Sequence, residues 1–155
     1  MLRIGLISDT HGLLRPQALA ALRGSDHIIH AGDIGAEGIL DQLSSIAPVT
    51  AVRGNNDCEP WASRIPERTE LAVSGLRILV VHSLQQLGVG FDASGLAAVV
   101  SGHSHRPRQE WRAGVLYVNP GSAGPRRFSL PISVGELLVD DDHGLQANLT
   151  VLDAC

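Results

Sequence analysis

The 155-residue chain carries 44% hydrophobic and 18% charged residues, a balance that excludes a disordered chain and suits a single domain (residues 1–155) with one substantial core. Its formal charge of −4 at pH 7 argues against broad electrostatic capture of nucleic acid, which depends on many Lys and Arg contacts to phosphates. All twelve basic residues are Arg, which suits bidentate phosphate contacts and is equally what a GC-biased genome produces.

Leu2 to Ser8 reads as a buried strand that begins almost at the first residue, so a signal peptide has no room and a cytoplasmic protein is expected. No apolar stretch is long enough to span a bilayer. Arg15 to Arg23 follows as a short helix entered at Pro16, and Asp26 to His30 as a second strand ending in Ala31-Gly32-Asp33. Gly35 to Ile46 has helical periodicity through Ile39, Leu40, Leu43 and Ile46. Pro48 opens a third strand, Val49 to Arg53, which runs into Gly54-Asn55-Asn56-Asp57. Strand–helix alternation of this kind predicts a parallel sheet in the amino-terminal half.

The second half is richer in strands. Glu67 to Val73 and Leu76 to His82 pair around a tight Ser74-Gly75 turn, and Leu96 to Ser101 ends at Gly102-His103-Ser104-His105. Gln109 to Arg112 and Val115 to Val118 predict a hairpin around Ala113-Gly114. Ile132 to Val139 and Leu145 to Leu152 predict a last pair, turning at Asp140-Asp141-Asp142-His143-Gly144. Two facing sheets with helices outside are expected. Cys58 and Cys155 lack the spacing of a zinc ribbon or redox motif; they could pair, although a reducing cytosol is the simpler reading.

Asp9, Asp33, Asn55, His82 and His103 each follow an apolar run, which places them outside the carboxyl ends of strands, where open α/β sheets form ligand sites. With His11 and His105 they make seven carboxylate, imidazole and carboxamide donors without a thiolate. That set suits Mn²⁺, Fe²⁺, Co²⁺, Ni²⁺ or Zn²⁺ better than Mg²⁺ or Ca²⁺. Asp33, alone in its motif, is the candidate carboxylate bridge between two ions. His30 lies inside its strand and reads as a hydrogen-bonded core residue, while His27 and His143 read as surface residues.

In this ordered set of motifs, Asp9-Thr10-His11, Gly32-Asp33, Gly54-Asn55-Asn56-Asp57, His82 and Gly102-His103-Ser104-His105, the chain resembles the calcineurin-like metallophosphoesterases. Its nearest likeness is to their small single-domain bacterial and archaeal phosphodiesterases, which also carry the Asn119-Pro120-Gly121-Ser122 segment. The resemblance implies an α/β fold, a four-layer αββα sandwich of two mixed β-sheets flanked by helices. It implies one metal on Asp9, His11, Asp33 and His105, another on Asp33, Asn55, His82 and His103, and a hydroxide between them that attacks phosphorus in line. Two divalent transition-metal ions are expected, Mn²⁺ first, with Fe, Ni, Co or Zn as alternatives. Asp33, His82 and Asn56 are the residues expected to carry catalysis.

Two departures from the family pattern bear on substrate. Asn56 stands where many members have a histidine that protonates the leaving group, and an amide cannot transfer a proton at neutral pH. The branch's Thr-His-Gly-His is here Val81-His82-Ser83-Leu84. A small or nucleotide-like phosphodiester is the expected substrate, hydrolysed more slowly below roughly pH 6, where the histidines take up protons. A phosphomonoesterase, a nuclease with the same centre, and a protein-interaction scaffold of the same fold are the alternatives. Self-association is left open.

Overall fold

Period-two burial explains the strands, and it sorts their side chains into three apolar layers. In β1 (Leu2–Ile7), Ile4 and Leu6 enter a core shared by two sheets, while Ile7 faces the helices. In β5 (Leu76–Val81), Ile78 and Val80 enter that same core and Leu79 and Val81 point outward. The computed structural model describes residues 1–140 and 144–152. The middle of the expected Asp140–Gly144 turn, with His143, and Cys155 lie outside the described residues.

The first sheet has the order β10-β9-β1-β2-β3. Its parallel part joins β1 to β2 (His27–His30) and β2 to β3 (Val49–Ala51), with Ile4 opposite His27 and Ile28 opposite Val49. The free side of β1 is covered by β9 (Ser133–Asp140), antiparallel, with β10 (Gly144–Val151) outside it. The last hairpin therefore completes the sheet that the first strand begins. The second sheet has the order β4-β5-β6-β8-β7, in which β5, β6 (Ala98–Val100) and β8 (Val115–Asn119) are parallel. β4 (Arg68–Val73) and β7 (Arg108–Arg112) are its antiparallel edges. Both hairpins close on two residues of positive φ, Ser74-Gly75 at 50° and 77° and Ala113-Gly114 at 48° and 82°, as a two-residue turn matched to strand twist requires.

Helices α1 (Pro16–Leu22) and α2 (Glu37–Ser44) pack on the first sheet through i, i+4 pairs, Ala18 with Leu22 and Ile39 with Leu43. α2 begins later than its apolar periodicity suggests because Gly35 has φ +90° and gives its N–H to Asp57 instead of entering a helix. The outer face of the second sheet is covered by a 3₁₀ turn, Leu84–Leu87, and by Phe91, Ala93 and Leu96 of the following loop. That turn and another at Pro60–Arg64 carry too short an apolar pattern to be seen in the sequence. The four layers of the expected sandwich are thus helices, sheet, sheet, and a thin 3₁₀-and-loop layer. Among the described residues no helix is long and apolar enough to cross a membrane.

Candidate metal centre

The carboxyl ends of β1, β2, β3, β5 and β6 meet at one rim, and the ladders continue past the strands into the loops. Asp9 N–H donates to Gly32 O at 2.9 Å, His11 N–H to Asp33 O at 2.9 Å, and Gly102 N–H to His82 O at 2.8 Å. Five of the seven expected ligands have left-handed backbone: Asp9 (φ 55°), His11 (47°), Asp33 (54°), His103 (73°) and His105 (63°). Non-glycine residues rarely adopt that region, and each costs of order 1–3 kcal/mol unless its surroundings hold it. Strain gathered on the chemically competent side chains marks the site independently of their identity.

Close backbone packing leaves no room for a side chain at two glycines of the rim. A Cβ on Gly32 would stand 2.6 Å from His82 Nδ1, and one on Gly54 would collide with the backbone and carboxylate of Asp33. Asp57 secures the same loops: its carboxylate accepts from Ile34 N at 3.1 Å, Gly35 N at 3.0 Å and Gly54 N at 2.9 Å. This role for Asp57 was not read from the sequence, although its place at the end of the Gly-Asn-Asn-Asp turn was the available signal.

Two triplets of ligand atoms, each within 4.8 Å of one another, form at the rim: Asp9, His11 and His105, and Asp9, Asp33 and His82. Asp9 is common to both, and Asp33 also reaches both sides, with Oδ2 3.7 Å from His11 Nε2 and 3.2 Å from His82 Nε2. Asp9 Oδ1 lies 3.9 Å from His11 Nε2, 3.8 Å from His82 Nε2 and 3.4 Å from His105 Nε2. Its other oxygen is engaged by Ser8 Oγ at 2.7 Å and by His103 N at 3.1 Å. His103 belongs to neither triplet of carboxylates and imidazoles, and Asn55 is the one carboxamide among the seven expected ligands. Both are exposed and line a cleft of about 390 Å³ with His82, and the His103 ring stands edge-on to His82 at 5.2 Å.

The donor set fits a cation. Asp9 Oδ1, His11 Nε2 and His82 Nε2 are buried without a hydrogen-bond partner among the described residues, a condition that costs about 1–3 kcal/mol per atom when nothing compensates it. Because His82 Nδ1 donates to Ala31 O at 2.7 Å, its Nε2 presents a lone pair toward two carboxylates. Acceptors facing acceptors call for positive charge between them, which a divalent cation would supply.

Electrostatics agree with this arrangement. Burial alone would raise Asp33, but the His82 ring and the Asn56 N–H outweigh it and hold the carboxyl well below its usual range. Burial likewise opposes, and contacts with His105 and Ser8 overcome it, in keeping Asp9 low. Burial pulls His82 down, yet Asp33 and Asp9 leave it raised. For His11, burial prevails over Asp33 and Asp9 and lowers it, with Arg127 adding to the effect.

The remaining sequence candidates take supporting places. Asn56 gives its backbone N–H to Asp33 Oδ1 at 2.9 Å and its amide to Asp33 Oδ2 at 3.1 Å. His30 is fully buried: Gly32 N–H donates to its Nδ1 at 3.1 Å, and its Nε2 meets Thr10 Oγ1 at 3.0 Å. Since Thr10 gives its own proton to Ile34 O, His30 donates from Nε2 and is neutral, pushed down to about 4 by burial. His27, expected at the surface, is half-buried against Thr50 at 2.7 Å, because β3 pairs alongside it. Arg53 bonds Ile65 O and Glu67. The Asn119–Ser122 segment is a brace: Asn119 holds Gly102 O at 3.0 Å and Ser122 holds Asp9 O at 3.1 Å.

The calcineurin-like phosphoesterase superfamily domain matches residues 2–142. A probable metallophosphoesterase of Methanocaldococcus jannaschii is 33% identical over 97% of this chain and 81% of its own. In fold, the chain is similar to an archaeal phosphodiesterase (TM-score 0.79, 23% identity, 97% and 100% of the two chains). It is also similar to Vps29 of Chaetomium thermophilum (TM-score 0.74, 20% identity, 97% and 96%). The chain belongs to the calcineurin-like phosphoesterase superfamily, metal-dependent hydrolases of phosphoesters.

Proposed function

We propose that residues 1–155 act as one catalytic domain, a phosphodiesterase for small or nucleotide-like phosphodiesters that works with two divalent ions, Mn²⁺ first, in the cytoplasm. One observation carries the reading: two triplets of ligand atoms share Asp9, and within them Asp9 Oδ1, His11 Nε2 and His82 Nε2 are buried with no hydrogen-bond partner among the described residues. In this reading Asp9, His11, His105 and Asp33 hold one ion, and Asp33, His82, Asn55 and His103 hold the other. Such a pair supplies a deprotonated water at neutral pH and positive charge against the phosphate.

The chain's own residues do the rest. His82 keeps its proton on Nδ1 against Ala31 and offers Nε2 as a neutral ligand. Asn56 acts through Asp33, whose carboxylate it fixes with two hydrogen bonds, and so is a positioning residue. With its amide engaged there and no imidazole beside the cleft at that position, the leaving group receives its proton from solvent, which favours diesters with good leaving groups. His103 and Asn55, exposed in the cleft, meet the substrate side.

The scaffold alternative draws on the Vps29 likeness, but at 20% identity that is a likeness of fold, and all seven ligand positions here bear competent side chains. A metal screen against an aryl diester and the matching monoester tests the proposal. Faster Mn²⁺-dependent hydrolysis of the diester is expected. Failure on every diester would refute it, and faster monoester hydrolysis would transfer it to the phosphomonoesterase.

A further inference from the structure

The cleft at the metal centre continues past His103. A second hollow of about 290 Å³ opens beside that imidazole, and Ser83, Gln85 and His103 line both spaces. Charge sets the hollow apart. In a chain of net charge −4, its wall carries Arg106, Arg108 and Arg112 against a single carboxylate, Glu110. A concave wall of one sign focuses the field and draws in the opposite charge.

Strand periodicity builds that wall. Arg108, Glu110 and Arg112 alternate along β7 and so share one face of it, the face that lines the hollow, whereas Gln109 and Trp111 do not line it. Glu110 Oε2 accepts one N–H from Arg108 at 2.8 Å and one from Arg112 at 3.0 Å. Each guanidinium has five N–H donors, so the pairing aims both groups without exhausting them. Arg112 is braced further by the Tyr117 ring, which its guanidinium covers at 4.7 Å from the centroid. Arg106 follows the ligand His105, and its exposed guanidinium has neither a hydrogen bond nor an ion pair among the described residues. Ser104 adds a neutral donor to the lining. Its Oγ accepts from Arg106 N at 3.2 Å and from Asn119 Nδ2 at 3.1 Å, which leaves its own proton to give.

We infer that this hollow receives a second phosphate group carried by the phosphodiester substrate. With the diester phosphate at the metal centre, the substituent runs past His103, and its terminal phosphate accepts from Arg106, Arg112 and Ser104. A phosphate monoester brings three acceptor oxygens and close to two negative charges, which suits several guanidinium forks better than the single charge of a carboxylate. The inference rests on the diesterase reading and narrows its substrate class to diesters that bear a further phosphate.

Two diesters with one leaving group test it: the 4-nitrophenyl ester of thymidine 5′-monophosphate, and the same ester with a second phosphate on its 3′ oxygen, each with the Mn²⁺-loaded protein. The wild type should prefer the 3′-phosphorylated ester in kcat/KM by roughly tenfold or more, as charge-assisted hydrogen bonds give. Arg106→Gln should remove most of that preference, the pair Arg106→Gln with Arg112→Gln the rest, and Arg106→Lys should keep part of it. Arg64→Gln makes the same change of net charge on an exposed turn outside both spaces, and should leave the preference intact. Equal efficiency on the two esters, or a preference that the double variant retains, would overturn the subsite and leave the diesterase reading standing. So would an equal loss in Arg64→Gln, which assigns the effect to net charge. If neither ester is hydrolysed, the diesterase reading falls, and calorimetry decides the hollow alone. Thymidine 3′,5′-bisphosphate should then bind roughly tenfold tighter than thymidine 5′-monophosphate and lose that margin in Arg106→Gln. Equal affinity, or a margin indifferent to Arg106→Gln, overturns it.

Discussion

His82 donates its Nδ1 proton to the carbonyl oxygen of Ala31 at 2.7 Å, a bond that ties the end of β5 in one sheet to the loop after β2 in the other. It sets which ring nitrogen is free and where that nitrogen points, toward Asp33 Oδ2 at 3.2 Å. Gly32 makes room for the contact. Gly32→Ala would put a methyl 2.6 Å from Nδ1 and 2.9 Å from Cγ of His82, on backbone at φ +101° that disfavours alanine. Losing such a ligand-orienting partner lowers metal affinity by roughly 10–100-fold. Calorimetric titration of the variant with Mn²⁺ checks this, and unaltered affinity would show that the ring does not depend on the space at Gly32.

Asp57→Asn tests the staple between the Asp33 and Asn55 loops. One acceptor oxygen becomes a donor facing a backbone N–H, so at least one of three bonds is lost in a buried setting. A stability loss of about 2–3 kcal/mol is expected for the metal-free protein. Urea unfolding measures it; a change below about 0.5 kcal/mol, the range of ordinary surface substitutions, would mean the staple is redundant.

Much of the site was legible because metal ligation uses few residue types and strand ends announce themselves as apolar runs stopped by glycine. Asp9, His11, Asp33, His82 and His105 could be placed at one rim from that pattern, and the structure gathers them. The engagements of Asn56 and Asp57 were not legible, since which group an amide or carboxylate bonds depends on loops 20 or more residues away. Nor does an isolated hairpin pattern say that β9 will pair with β1 rather than join the second sheet. That choice is made by the free edge of β1 and by Leu137 and Val139 entering the shared core.

His30 makes stability depend on pH. Folded, it is pushed down to about 4; unfolded, it titrates near 6.5. The unfolded chain therefore binds the extra proton between those values, so this contribution is complete above about pH 6.5 and lost as pH falls toward 4. About 2 kcal/mol should disappear between pH 7.5 and pH 5 on this account. Urea midpoints at the two values, with His30→Gln as comparison, decide the matter: the slope should flatten in the variant, and an equal slope would assign it to other groups.

Asn56→His restores an imidazole at the position that here holds Asp33 through an amide. Supplying a general acid contributes typically 10²–10⁴-fold where protonation limits the rate, and little where it does not. Hydrolysis of alkyl diesters should rise in the variant far more than that of 4-nitrophenyl diesters, whose leaving group departs unprotonated. Parallel gains on both classes would indicate that the new histidine acts elsewhere.

The central claim is that the two sets of ligands sharing Asp33 hold two metal ions and that these make the chain a diesterase. Calorimetric titration of metal-stripped protein with Mn²⁺, followed in parallel by hydrolysis of bis(4-nitrophenyl) phosphate, addresses it directly. The account predicts two equivalents bound per chain, activity that rises with the second, and loss of both in Asp33→Ala, with turnover down by roughly 10³-fold or more. Fewer than two equivalents in the wild type, or a fully loaded chain with no hydrolysis, would contradict it.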